Sequence, residues 1–144
     1  MLIYHNSLRC GGSLLSSDIV LTAAHCVLTN KTLLLTIPNE NATVVLGEHD
    51  RTKEEESEQR IQVKEIIIHP GYWKNEKALW DNDFAIIKLA KSIKFTKFVN
   101  PICLPQPNSN NDFDSVEARA SGWGHINETQ GSISNILRKV SASI

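Results

Sequence analysis

The stretch Val-Leu-Thr-Ala-Ala-His-Cys-Val, residues 20–27, places one imidazole between two alanines and a cysteine at the end of a strand-like apolar run. A histidine exchanges protons near neutral pH, so its surroundings decide whether it serves chemistry or only packing. Far along the chain, Asp83 stands at the mouth of the apolar run Phe-Ala-Ile-Ile-Lys-Leu, 84–89. An ionised carboxylate in that position needs a partner, because desolvating it alone is costly, and a histidine N–H is a suitable one. Small side chains at Ala23 and Ala24 let another segment approach the His25 ring. Two plainer readings stand beside this one. His25 is then a packed core histidine, and Asp83 a turn residue for which Asp81 and Asn82 compete. A zinc site from Cys10, His25 and Cys26 is disfavoured, since adjacent His25 and Cys26 lack the usual ligand spacing.

The elements that must position these residues are short. Segments 13–21 read as two strands about a Ser-Ser-Asp turn, and 43–46 and 61–68 are apolar and rich in β-branched residues. Residues 84–89 form an almost continuous apolar run, as in a strand buried on both faces. Segments 116–120 and 136–140 are weaker strands. Turn clusters at 39–41, 69–71, 81–83 and 106–111 separate them, with no long helical period, which argues for an antiparallel sandwich or barrel. The Pro- and Asn-rich stretch 104–114 suggests a boundary.

Bulk properties narrow the function. The 144 residues allow one domain with a real core. A net charge of −1 gives no electrostatic reason to expect nucleic acid or an anionic membrane as partner. No apolar run approaches the length of a membrane span. The first residues offer only a three-residue apolar stretch before Arg9 and do not read as a signal peptide. With 3 cysteines, at least one is free or pairs outside the chain. Sequons at Asn30, Asn41 and Asn127 fit a secreted, glycosylated protein.

Five motifs occur in order: Cys-Gly-Gly-Ser-Leu from Cys10, Leu-Thr-Ala-Ala-His-Cys from Leu21, Asp-Asn-Asp-Phe-Ala-Ile-Ile-Lys-Leu from Asp81, Pro-Ile-Cys-Leu-Pro from Pro101 and Ser-Gly-Trp-Gly from Ser121. Together they resemble the trypsin/chymotrypsin family of serine endopeptidases over nearly the whole chain. The resemblance implies an all-β fold of antiparallel Greek-key β-barrels: a first barrel at 1–103, a linker at 104–115 and the start of a second barrel at 116–144. It makes His25 the general base and Asp83 the carboxylate that orients it. It pairs Cys10 with Cys26 in a disulfide, and it assigns Cys103 to a partner segment upstream of the activation cleavage, a pro-segment or light chain. Protein or peptide substrates and an extracellular location follow from the same likeness.

The family's nucleophile lies in a Gly-Asp-Ser-Gly-Gly motif, which these residues lack. Asp114-Ser115 has no flanking glycines and sits in the linker. The Ile-Val-Gly-Gly start and the main specificity pocket are missing too, so the chain is expected to be an incomplete catalytic domain, inactive as it stands. The alternative is a non-catalytic homologue that only binds partners. No cofactor is required for catalysis, but the acidic segment 47–59 resembles the family's calcium loop. Carboxylates of Glu48, Glu55 and Glu58 and main-chain carbonyls of Asp50 and Lys53 would be the ligands, since calcium takes six to eight oxygens. Glu56 departs from that pattern by replacing a common glycine.

Overall fold

Two strands of opposite direction bring the ends of distant segments together, and this pairing governs the site. In the computed structural model, residues 1–30, 35–72, 81–105, 116–126, 131 and 133–143 are described. The strands in chain order are β1 (Leu2–Tyr4), β2 (Ser7–Cys10), β3 (Ser13–Leu14), β4 (Ile19–Thr22), β5 (Leu28–Asn30), β6 (Leu35–Thr36), β7 (Ala42–Leu46), β8 (Gln59–Ile68), β9 (Ala85–Leu89), β10 (Glu117–Gly122) and β11 (Arg138–Ser143). The only helical pieces among the described residues are 3₁₀ turns at Ala24–Val27 and Asn39–Asn41. The chain belongs to the all-β class that the sequence implied.

Seven strands form one antiparallel sheet in the order β2-β1-β7-β8-β9-β4-β3. The sheet cannot be flat. In a flat sheet β1 and β4, four places apart, would stand roughly 19 Å from each other at about 4.8 Å per strand. Yet Leu2 of β1 and Val20 of β4 line one small cavity of about 10 Å³ with Val44 and Ile87. The sheet therefore curls into a half-barrel around a single core. Leu2, Val20, Val44, Ile61, Val63, Ala85, Ile87 and Leu89 fill it, each less than a tenth exposed. Fully burying one such aliphatic side chain contributes about 1.5–3 kcal/mol.

Strand β9 differs from its expected burial on both faces. Ala85, Ile87 and Leu89 are buried, but Ile86 and Lys88 are only half covered, and Phe84 is 56% exposed. Antiparallel sheets pack one face and leave the other toward water. Lys88 uses that outer face for an ion pair with Glu65 of β8 at 2.8 Å.

Two sequence features let the strands approach. The β1–β2 hairpin turns through His5 and Asn6, both at positive φ (49° and 59°), as the tight two-residue turn of a twisted hairpin requires. Gly12 lies so close to β4 that a Cβ there would meet Leu21 O at 2.9 Å and Val20 Cγ1 at 3.0 Å.

The chain separates into two compact units, one of Met1–Gly47 with Ser57–Ile102 and one of Glu48–Glu56 with Cys103–Ile144. The first holds the seven-stranded sheet. In the second, β10 pairs antiparallel with β11 from Glu117↔Ser143 to Gly122↔Arg138. The Glu48–Glu56 segment joins it through Arg51 N–H to Asn135 O (3.0 Å), Leu137 N–H to His49 O (2.8 Å) and the Trp123 indole N–H to His49 O (3.2 Å). Most of the sequence-assigned linker, residues 106–115, lies outside the described residues.

Candidate active site

The register of β4 and β9 explains why His25 meets Asp83. Thr22 pairs with Ala85, so the chain leaving β4 and the chain entering β9 lie at the same end of one antiparallel pair. The 3₁₀ turn that follows β4 presents His25, with Ala24 fully buried beneath it. Asn82 takes positive φ (55°) just before β9, a conformation that Asn tolerates better than most residues. It turns Asp83 back toward the histidine.

The contact is two-pronged. The His25 backbone N–H donates to Asp83 Oδ1 at 2.9 Å, and His25 Nδ1 lies 2.6 Å from Oδ2. The Asp83 side chain is 19% exposed and that of His25 43%. Burial raises the Asp83 carboxyl, but the His25 ring, the backbone N–H groups of His25 and Ala24 and the charge of a protonated His25 outweigh it. Asp83 is thus held below the ordinary carboxylate range. Tyr72, 1% exposed, belongs to the same neighbourhood: burial pushes its phenol up, and the Asp83 charge adds to the effect.

Cys10 and Cys26 form a disulfide with Cα atoms 6.0 Å apart. It ties β2 to the turn that carries His25 and closes a loop of 16 residues, worth roughly 3 kcal/mol on the chain-entropy account. The zinc alternative falls with it. Cys10, His25 and Cys26 do cluster, but disulfide sulfurs are not the thiolates that zinc requires. His25 Nε2 lies 3.4 Å from Cys26 Sγ. Arg9, which the sequence marked only as ending an apolar stretch, donates from Nε to Cys26 O (2.7 Å) and from Nη2 to Leu28 O (2.6 Å). Its partners are backbone carbonyls of another segment, which no residue pattern announces. Tyr72 could have been suspected as a large aromatic directly after the 69–71 turn.

The remaining sequence-assigned residues fall elsewhere. Glu48 is buried at 6% exposure. Glu55 Oε2 accepts from the backbone N–H groups of His49 (3.0 Å) and Asp50 (3.3 Å). Asp50 is held below the ordinary range by the hydroxyl and N–H of Thr52, with Lys53 Nζ at 3.5 Å adding to this. Glu58 belongs to the other unit, where Arg60 pairs with it at 2.8 Å. Cys103 is an exposed free thiol. Asn30 and Asn41 are exposed, at the ends of β5 and of a 3₁₀ turn, while Asn127 lies outside the described residues.

Comparison with known proteins identifies the family of the chain. The family model for trypsin matches residues 1–144, and the chain belongs to the trypsin family. It is 35% identical over 135 residues to mouse (Mus musculus) ovochymase-2, covering 94% of the chain and 20% of that protein. It is 35% identical to venom serine protease 34 of Apis mellifera, covering 98% of the chain and 34% of the relative. Mouse vitamin K-dependent protein C is 37% identical over 120 residues, or 82% of the chain and 24% of the relative. The chain thus spans well under two thirds of the length of the relatives it matches.

The Asp83 shift has a pH consequence. A carboxyl whose folded pKa lies below its unfolded value, about 3.9, contributes stability present above that value and lost as pH falls through the folded one. Asp83→Asn should therefore be less stable than the unaltered protein at about pH 6, with the deficit shrinking as pH falls below the unfolded value of about 3.9. Unfolding free energies from denaturant titration across this range check it, and a deficit independent of pH would contradict it.

Proposed function

We propose that this chain supplies the general base and its orienting carboxylate to a secreted serine endopeptidase acting on protein or peptide substrates. The observation that carries the reading is the double hydrogen bond between Asp83 and His25, made once to the ring and once to the backbone. An ionised Asp83 accepting from Nδ1–H leaves the lone pair on Nε2. From there the ring takes the proton of a serine hydroxyl as the oxygen attacks the scissile carbonyl. The imidazolium, stabilised by Asp83, then returns the proton to the leaving amine. The backbone bond to Oδ1 restrains rotation of the carboxylate and so helps to hold the ring in place.

The nucleophile and oxyanion donors do not come from the 144 residues, which hold no Gly-Asp-Ser-Gly-Gly motif. A serine must lie within about 2.6–3.2 Å of the base to be activated. Secretion is supported by the Cys10–Cys26 disulfide, which persists in oxidising compartments. No helix among the described residues is long and apolar enough to cross a membrane. Through its exposed thiol, Cys103 is the residue available to join a light chain or pro-segment by a disulfide.

A structural calcium ion is part of the proposal. Carboxylate and carbonyl oxygens are the hard donors calcium takes, and the segment Glu48–Glu56 gathers several of them. Glu48 and Glu55, with main-chain oxygens of Asp50 and Lys53, would hold the ion. Glu58, the fifth ligand of the sequence assignment, is engaged by Arg60. The ion would order the segment and take no part in proton transfer.

Two experiments test these readings. In the full-length, activated protein, Asp83→Asn should lower kcat by about 10⁴-fold with little change in KM, and His25→Ala should do at least as much. The 144 residues assayed alone should cleave no peptide. Turnover unaffected by either substitution would refute the roles. A full-length protein that binds peptides without cleaving them would favour the non-catalytic homologue. For calcium, millimolar additions should raise the thermal midpoint, since the ion binds only the folded state. Glu48→Gln should abolish the rise, and no rise in the unaltered protein would remove the ion from the account.

A further inference from the structure

The open side of His25 faces a cleft of about 390 Å³, walled by Tyr4, Ser7, Leu8, Arg9 and the Cys10–Cys26 disulfide. The wall is mostly uncharged, but it contains one fixed cation. Arg9 is anchored through Nε and Nη2 to Cys26 O and Leu28 O, and its guanidinium lies 5.8 Å from the centre of the Tyr4 ring. A guanidinium has five N–H donors, so these two bonds leave others able to meet a ligand. Among the described residues no carboxylate pairs with Arg9. The residue is exposed, so its unpaired charge is presented to the cleft rather than sealed in the core.

From this arrangement we infer that the cleft is a subsite for an acidic side chain of the bound peptide, with Arg9 as the residue that selects it. The inference rests on the endopeptidase reading, since that reading brings a peptide to His25. Preorganisation makes Arg9 effective. Its side chain is already immobilised by the two carbonyls, so little rotamer entropy remains to be lost on binding. A carboxylate meeting it gains charge-assisted hydrogen bonds, and the substrate's aliphatic stem rests on Leu8, the disulfide and the Tyr4 ring. A lysine or arginine in the same place would meet a like charge. Because the cleft begins at the base itself, the acidic residue would lie close to the scissile bond.

The test uses the full-length protein and matched peptides carrying Glu, Gln or Lys in turn at each position within three residues of the scissile bond. Both kcat/KM and equilibrium binding by fluorescence anisotropy are measured, the latter needing no turnover. At one position Glu should exceed Gln by about three- to fivefold, as expected for a partly exposed ion pair. The ratio should fall to one in Arg9→Gln and invert in favour of Lys in Arg9→Glu. If losing the two carbonyl bonds unfolds these variants, Arg9→Lys keeps the charge. The unaltered protein in about 1 M salt should also lose the preference, the screening length there being about 3 Å. A Glu to Gln ratio of one at every position, or a preference that survives Arg9→Gln or high salt, overturns the subsite and leaves the endopeptidase reading intact. A binding preference without turnover does the reverse: it keeps the subsite and removes the endopeptidase.

Discussion

A carboxylate placed where water is scarce must be compensated, and much of the first unit is arranged around that requirement at Asp83. The compensation comes from three donors of one short turn: the His25 ring and the backbone N–H groups of Ala24 and His25. Each of these bonds works only if the turn after β4 and the entry to β9 are held in a fixed relation. The antiparallel register Thr22↔Ala85 provides that relation. The curled core behind it, with Ile87 and Val20 facing inward, prevents the two strands from slipping, because a one-residue slip would turn their apolar faces outward. The His25–Asp83 contact is thus a product of strand register before it is a product of residue identity.

The turn bearing His25 is secured from the other side as well. The disulfide fixes Cys26 covalently to β2, and Arg9, one residue before Cys10, ties down the carbonyls of Cys26 and Leu28. Two adjacent residues of β2 thereby clamp one turn, one by a covalent bond and one by charge-assisted hydrogen bonds. Close approach of the strands depends on the absence of side chains at particular points, Gly12 against β4 and the small Ala24 under the histidine. These constraints fall on a short stretch, which accounts for its unusual run of small residues beside an imidazole and a thiol.

The same physics separates what could be read in the sequence from what could not. Strands β4, β7, β8 and β9 were legible because each carries a run of β-branched and apolar residues long enough to show its character. The β1–β2 hairpin was not, since Leu2–Tyr4 and Ser7–Cys10 are short and their turn uses two non-glycine residues at positive φ. Strands β5 and β6 escaped notice for want of length. Strand β11 runs Arg138–Ser143 rather than 136–140, because Ile136 is taken by an isolated bridge to Asp50. Residue types pointed to His25 and Asp83, but the bidentate hold depends on a backbone N–H, which every residue carries. Arg9 was illegible for a similar reason, its anchors being carbonyls of a segment brought near only by folding.

On the proposed reading, Asp83 holds the His25 ring with its proton on Nδ1 and leaves Nε2 basic. Nitrogen-detected NMR of the imidazole reads this directly, without substrate or nucleophile. With the imidazole in its neutral form, the His25 Nδ1 is expected to carry a proton in slow exchange, strongly shifted downfield by the short bond to Oδ2, while Nε2 shows the shift of an unprotonated nitrogen. Asp83→Asn should abolish that pattern. A His25 ring in the Nε2–H tautomer, or an Nδ1 signal unchanged by Asp83→Asn, would contradict the account.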